Sequence, residues 1–263
     1  MTPLKDKRLF LLDMDGTIYL DEELFDGTLD FLAHVKVLGG RAMYLTNNSS
    51  KSVQSYVDKM KRLGITAAAE DFLTSVNATV LYLQQQFYKK IYAFGTESFK
   101  SQLREGGLPI VDRLEDGVDC LCMGFDTELT FQKLEDACIL LNRGVDFVAT
   151  NPDWVCPTWY GSVPDCGSVS EMLFRATGRR PRFIGKPQPD MVNLAVAKSG
   201  FSKEQAILLG DRLYTDIQSG VNAGIDTVLV LSGEATLEDL AASETKPAYV
   251  MENIREFLNQ ITK

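Results

Sequence analysis

The sequence predicts an α/β protein built on a parallel sheet, with a second α/β domain inserted into the first. Short apolar runs rich in branched residues alternate with longer segments of helical periodicity. Each of these runs ends in polar or glycine residues. The pattern also changes character between about residues 80 and 180 before it resumes, and 263 residues is long for one compact core.

The first expected strand, 8–12, is "RLFLL", a continuous apolar run of the kind a strand covered on both faces requires, and it stops at Asp13. A helix is expected over 27–37, then a strand over 41–45 ending at Thr46, then a helix over 52–63. Within the changed region, "VDCLCMGF" and "VDFVAT" flank a helical stretch at 130–141, and all five cysteines fall here. The first pattern returns with a strand at 182–184 followed by Gly185 and Lys186, and a helix at 189–199. A strand at 206–209 leads to Gly210 and Asp211, a helix spans 213–223, and a strand at 227–231 leads to Ser232 and Gly233. The expected division is a core of 1–79 and 181–263 with an inserted domain at 80–180. Because ligands of open parallel sheets bind beyond the carboxyl ends of the strands, the five strand tips are expected to face one site.

Composition narrows the function. Hydrophobic residues are 45% and charged residues 24%, as in an ordinary soluble enzyme. A net charge of -9 argues against a nucleic-acid polymer as partner, while a small phosphate compound stays compatible if a metal ion offsets charge locally. The N-terminal apolar run is too short for a signal peptide and no stretch approaches the roughly 18 apolar residues of a membrane span, so a cytoplasmic protein without a membrane partner is expected. Five cysteines without a C-x-x-C pair support neither a disulfide framework nor a zinc cluster; reduced, mostly buried thiols are expected.

A buried strand gains nothing from carboxylates at its tip, yet 8–12 runs into Asp13 and Asp15. If extended geometry persisted, the two side chains would point to one side, repel, and be relieved by a divalent cation. Oxygen ligands with few histidines suit Mg²⁺, with Asp211 as a third carboxylate and Asp216 as a further ligand or a supporting acceptor. An isolated D-x-D is more often a turn or helix cap; Gly16-Thr17 behind it and Asp211 elsewhere favour the metal. In "TNNSS", Thr46 offers a hydroxyl and Asn47 a backbone N–H to a phosphate oxygen, and these residues can equally cap the following helix. Lys186, fixed at a strand tip, would supply a point charge to carboxylate and phosphate. The stretch 178–186 lacks P-loop spacing, no G-x-G-x-x-G follows a strand, and His34 lies within a helical segment away from the tips.

The ordered pieces "DMDGT", "TNN", "GKP" and "GDRLYTD" resemble the motif set of the haloacid dehalogenase-like phosphohydrolase superfamily, in its NagD or p-nitrophenyl phosphatase-like branch. "TNNSSKS", "IGKPQPDM" and "NAGIDTVLVLSGEAT" extend the likeness over nearly the whole chain. The resemblance implies a Rossmannoid core with an inserted α/β cap domain. It implies Asp13 as nucleophile, Asp15 as acid-base, and Thr46 and Lys186 as phosphate ligands. It further implies Mg²⁺ held by Asp13, Asp211 and the Asp15 carbonyl with Asp216 in support. The expected function is Mg²⁺-dependent hydrolysis of small phosphate monoesters. The competing readings are a phosphomutase or phosphotransferase, or a phosphate-binding protein without turnover; a dehalogenase would leave Asp15 and the metal set unexplained. Residues 151–168, "NPDWVCPTWYGSVPDCGS", read as a long irregular loop of the cap, with Asp153, Trp154, Cys156, Trp159 and Tyr160 as specificity candidates that could equally be packing.

Overall fold

The computed structural model describes residues 3–158 and 160–262, so Trp159 lies outside the described residues. The chain forms two compact units. One comprises residues up to Thr46, Val53–Leu73 and Lys186 onward, and the other Asn47–Ser52 with Thr74–Gly185. The breaks at 73/74 and 185/186 differ from the expected 79/80 and 180/181. One cause is that Ser75–Gln84 is a continuous helix, started by Thr74 accepting from the Asn77 N–H, and a boundary cannot fall inside it.

The first unit holds a six-stranded sheet. Taken in chain order, its strands are Leu9–Leu12, Arg41–Thr46, Phe72–Thr74, Ala206–Gly210, Asp226–Val230 and Tyr249–Met251, and across the sheet they lie 3-2-1-4-5-6. Leu9–Leu12 sits in the middle, parallel to both neighbours, with Leu12 level with Leu209 on one side and Tyr44 on the other. All four of its side chains are buried, which is why the sequence there is apolar without alternation. Helices Thr28–Val37 and Ile254–Ile261 cover one face. The latter buries Ile254, Phe257, Leu258 and Ile261, the spacing of a single helical stripe. Phe10, Phe31 and Phe257 meet there, with the Phe10 and Phe31 rings edge to face at 5.3 Å.

The second unit has its own parallel sheet of five strands, Ile91–Phe94, Ile110–Val111, Cys120–Met123, Asp146–Ala149 and Arg182–Phe183, lying 5-4-3-1-2. Its helices Ser75–Gln84, Glu97–Glu105, Phe131–Asn142 and Cys166–Thr177 each begin on a side-chain cap, from Thr74, Thr96, Thr130 and Asp165. Each such cap contributes about 1 kcal/mol.

Two expectations are corrected here. The strand at 182–184 belongs to this second sheet, pairing Arg182 with Val148, so four tips rather than five belong to the first sheet's predicted set. Residues 151–168 are not irregular throughout: Val155–Thr158 and Gly161–Pro164 pair as an antiparallel hairpin. Among the described residues the cysteines are free thiols, with Cys120, Cys122 and Cys166 buried, and no helix is long and apolar enough to cross a membrane.

Candidate active site

Strand order locates the site. The chain leaves Leu9–Leu12 toward one edge of the sheet and returns at Ala206–Gly210 to build the other half. The topological switch point therefore lies between these two strands, where a crevice opens beyond their carboxyl ends. The residues that follow them are Asp13 and Asp211. Next, Leu213–Ile217 forms a π-helical turn before helix Gln218–Ala223, and this turn brings Asp216 back toward the strand tip. Turns of this kind recur at functional sites because they re-aim side chains.

Carboxylate oxygens of Asp13, Asp211 and Asp216 all lie within 4.8 Å of one another. Lys186 enters the same cluster, 2% exposed, with Nζ donating to Asp13 Oδ1 at 2.5 Å and Asp216 Oδ1 at 2.6 Å. The other Asp216 oxygen accepts from the Arg212 N–H, and Asp211 Oδ2 accepts from the Glu234 N–H at 2.8 Å. The glycines around the cluster leave room for these carboxylates. Gly16 has φ +89°, and a Cβ there would stand 2.5 Å from Asp211 Oδ2; one on Gly233 would come closer still, and one on Gly210 would overlap Asp216.

Three carboxylates against one ammonium leave an excess of buried negative charge. Burial, and next the Asp216 charge, hold Asp13 well above the usual carboxylate range despite Lys186. The same two causes push Asp211 up to about 7. Burial alone would lower Lys186, but the facing Asp13 and Asp216 reverse this and keep it cationic. Asp211 Oδ1 is buried without a hydrogen-bond partner among the described residues, although a carboxylate oxygen in such a place ordinarily has one. An all-carboxylate donor set with one unmet oxygen fits a hard divalent cation such as Mg²⁺, and the absence of histidine or thiolate disfavours zinc.

The sequence-predicted residues are not all brought to this cluster. Asp13, Asp211, Asp216 and Lys186 are. The Asp15 carboxylate has other partners: Tyr19 donates to Oδ2 at 3.3 Å, and Lys59 Nζ lies 3.6 Å from Oδ1. The strand ends at Leu12, so extended geometry does not persist to Asp15, and the expected sharing of one cation by the Asp13 and Asp15 side chains is not the arrangement found. Asp216 stands in the three-carboxylate group itself. Thr46 ends its strand, buried in the first unit. Asn47 begins the second unit, where its amide donates to Asp153 at 2.8 Å and its carbonyl accepts from Ser75. Asp153 also accepts from Asn151, so this specificity candidate is a buried structural acceptor, whereas Trp154 and Tyr160 are exposed. Cys156 is half-buried on the hairpin.

Sequence reasoning passed over Tyr19 and Lys59, and named Gly210 and the Ser232–Gly233 turn as strand tips facing the site without giving them a role. The turn had a signal, since it follows a strand tip; its Ser232 hydroxyl donates to the Gly16 carbonyl. Lys59 had none beyond being a lysine on a helix.

Residues 10–109 match the haloacid dehalogenase-like hydrolase family and residues 183–257 the HAD-hydrolase-like family. The acid sugar phosphatase of Staphylococcus aureus is 33% identical over 261 residues, 99% of this chain and all of that protein. The crystal structure of a 4-nitrophenylphosphatase from Thermotoga maritima is 41% identical and superposes with a TM-score of 0.91 over 98% of each chain. A glycerol phosphate phosphatase from Mycobacterium tuberculosis, solved in complex with magnesium and also with calcium, is 31% identical with a TM-score of 0.89 over 97% of this chain and 78% of that one in the magnesium complex. With family matches that together span more than half of the chain and relatives similar from end to end, the chain belongs to the haloacid dehalogenase-like hydrolases, in the branch of NagD and the 4-nitrophenylphosphatases.

Proposed function

We propose that the protein is a Mg²⁺-dependent phosphomonoesterase acting on small phosphorylated metabolites through an aspartyl phosphate on Asp13. The observation that carries this reading is the Asp13–Lys186–Asp216 contact beside Asp211 Oδ1, which has no hydrogen-bond partner among the described residues: a nucleophile, a fixed cation and an unmet hard oxygen ligand at one switch point. Asp13, Asp211 and the backbone carbonyl of Asp15 would hold Mg²⁺, with Asp216 in support. The ion would draw charge from the phosphoryl oxygens and relieve the carboxylate repulsion.

The chain's own residues account for the remaining steps. An Asp13 oxygen attacks phosphorus as the bond to the ester oxygen breaks, and Lys186 offsets charge on the group in transfer. Asp15 gives its proton to that ester oxygen, so the leaving group departs as a neutral alcohol. The Asp15 carboxylate then takes a proton from water as the water attacks the aspartyl phosphate, which releases phosphate and restores both aspartates to their starting forms. Thr46 and the Asn47 backbone N–H donate to phosphate oxygens.

The resemblance makes the inserted unit the cap, and Trp154 and Tyr160, exposed at its hairpin, are the candidates for substrate choice. The relatives' substrates favour sugar and polyol phosphates, and the reading carries a cytoplasmic location with it. The test is phosphate release from a panel of sugar, polyol, nucleotide and p-nitrophenyl phosphates, with Mg²⁺ and with EDTA. Release that depends on Mg²⁺ is expected; a folded protein inert toward the whole panel would overturn the proposal.

A further inference from the structure

Tyr19, Lys59 and Asp15 form a small cluster of their own. Lys59 is on helix Val53–Arg62, which buries Tyr56 and Met60 and brings the lysine stem down beside the loop after the first strand. Its ammonium stands 3.8 Å from the centre of the Tyr19 ring and 3.6 Å from Asp15 Oδ1. The Tyr19 ring is fully buried, and its hydroxyl donates to the other Asp15 oxygen at 3.3 Å. A bridge between Asp15 and Tyr19, and the Gly16 N–H donating to the Tyr19 carbonyl at 2.8 Å, tie the two backbones together. The Asp15 side chain is 39% exposed and Lys59 only 12%.

A pair this open contributes little to stability, so the fold gains little from aiming an almost buried lysine at a half-exposed carboxylate. Both oxygens of Asp15 are instead engaged, one by the hydroxyl of a ring buried in the core and the other by an ammonium held over that ring's face. That arrangement suits a side chain required in one rotamer before substrate arrives, with its open side toward solvent.

We infer that Lys59 and Tyr19 are positioning residues for the proton transfer by Asp15, an inference that rests on the phosphatase reading. Neither residue touches substrate. A misplaced Asp15 penalises a reaction only as far as the leaving group needs the proton. An alkoxide cannot depart unprotonated, whereas p-nitrophenolate is a stable anion and leaves with little help.

The experiment compares Lys59→Met, Lys59→Arg and Tyr19→Phe with wild type on glycerol phosphate and p-nitrophenyl phosphate, with folding checked by circular dichroism and KM measured separately from kcat. Lys59→Met is expected to lower kcat for glycerol phosphate about tenfold and for p-nitrophenyl phosphate less than about threefold, with KM nearly constant for both. Lys59→Arg, which keeps the charge, should recover most of the glycerol phosphate rate. Tyr19→Phe, which keeps the ring and removes the hydroxyl, should show the same leaving-group bias. Equal losses on both substrates, no loss at all, or a loss confined to KM would overturn the inference. Failure of the underlying reading has a different signature, because wild type would then hydrolyse neither ester.

Discussion

The metal-free enzyme should lose stability as pH rises through neutrality, because its three-carboxylate cluster must ionise with little access to water. Asp211 is 3% exposed, and its carboxyl moves from 3.8 to about 7 on folding. A group whose pKa is raised in the folded state contributes its stability below the unfolded pKa, and that contribution is lost as pH climbs through the folded value. About three units at about 1.4 kcal/mol each make Asp211 worth about 4 kcal/mol less to the fold above pH 7 than below pH 4. Asp13 shifts in the same direction. The acids held below their usual values, Asp26, Glu171, Glu204 and Asp239, act only where pH falls below the ordinary carboxylate range, and Lys186 acts only in strong alkali. Between pH 5 and 8 the acidic cluster is therefore the main contributor. The assay is urea unfolding in EDTA at intervals across that window, repeated with Asp211→Asn and with Mg²⁺. Wild type should become less stable toward pH 8 by a few kcal/mol. Asp211→Asn should flatten the trend, and Mg²⁺ should remove it in wild type by binding only the native cluster. A flat or rising EDTA curve, or a variant running parallel to wild type, would refute the reasoning.

Two further substitutions separate the site from the scaffold. Gly233→Ala would drive a Cβ into the Asp211 carboxylate, and overpacking at such a place costs about 1–3 kcal/mol. Turnover should fall at least about tenfold and the melting temperature modestly, as steady-state kinetics and thermal unfolding would show; wild-type kinetics would mean the turn gives way freely. Phe257→Ala, in the fully buried aromatic cluster of the sheet's helical face, should cost about 3–5 kcal/mol while kcat/KM below the new transition stays close to wild type. A large kinetic defect in a folded Phe257→Ala protein would show that this core is coupled to the site.

What was legible in the sequence depended on how local its cause is. Asp13, Lys186, Asp211 and Asp216 could be found because each lies just beyond an apolar run or one turn further, and a charge there has no structural purpose. The strand at Arg182–Phe183 was visible as a strand but assigned to the wrong sheet, since a short apolar run carries no record of its neighbour. Phe72–Thr74 and Tyr249–Met251, the sheet's edge strands, are three residues each and too short to show a period. The hairpin of Val155–Thr158 and Gly161–Pro164 carries Pro157 and Pro164, which argue against a strand in any sheet but a two-stranded one made wholly of edges. Lys59 was beyond reach for a different reason. Its meaning comes from Asp15 and Tyr19, which only the packing of helix Val53–Arg62 brings to it.

The central claim is that Asp13 carries the phosphoryl group. Rapid acid quenching during turnover of a phosphate ester, followed by borohydride reduction and peptide mass spectrometry, tests it most directly, because an acyl phosphate is reduced to an alcohol while a free carboxylate is not. The account predicts homoserine at position 13 in the quenched wild-type enzyme, none without substrate, and neither homoserine nor turnover in Asp13→Asn. Turnover with position 13 unreduced, or a phosphorylated residue elsewhere, would contradict it.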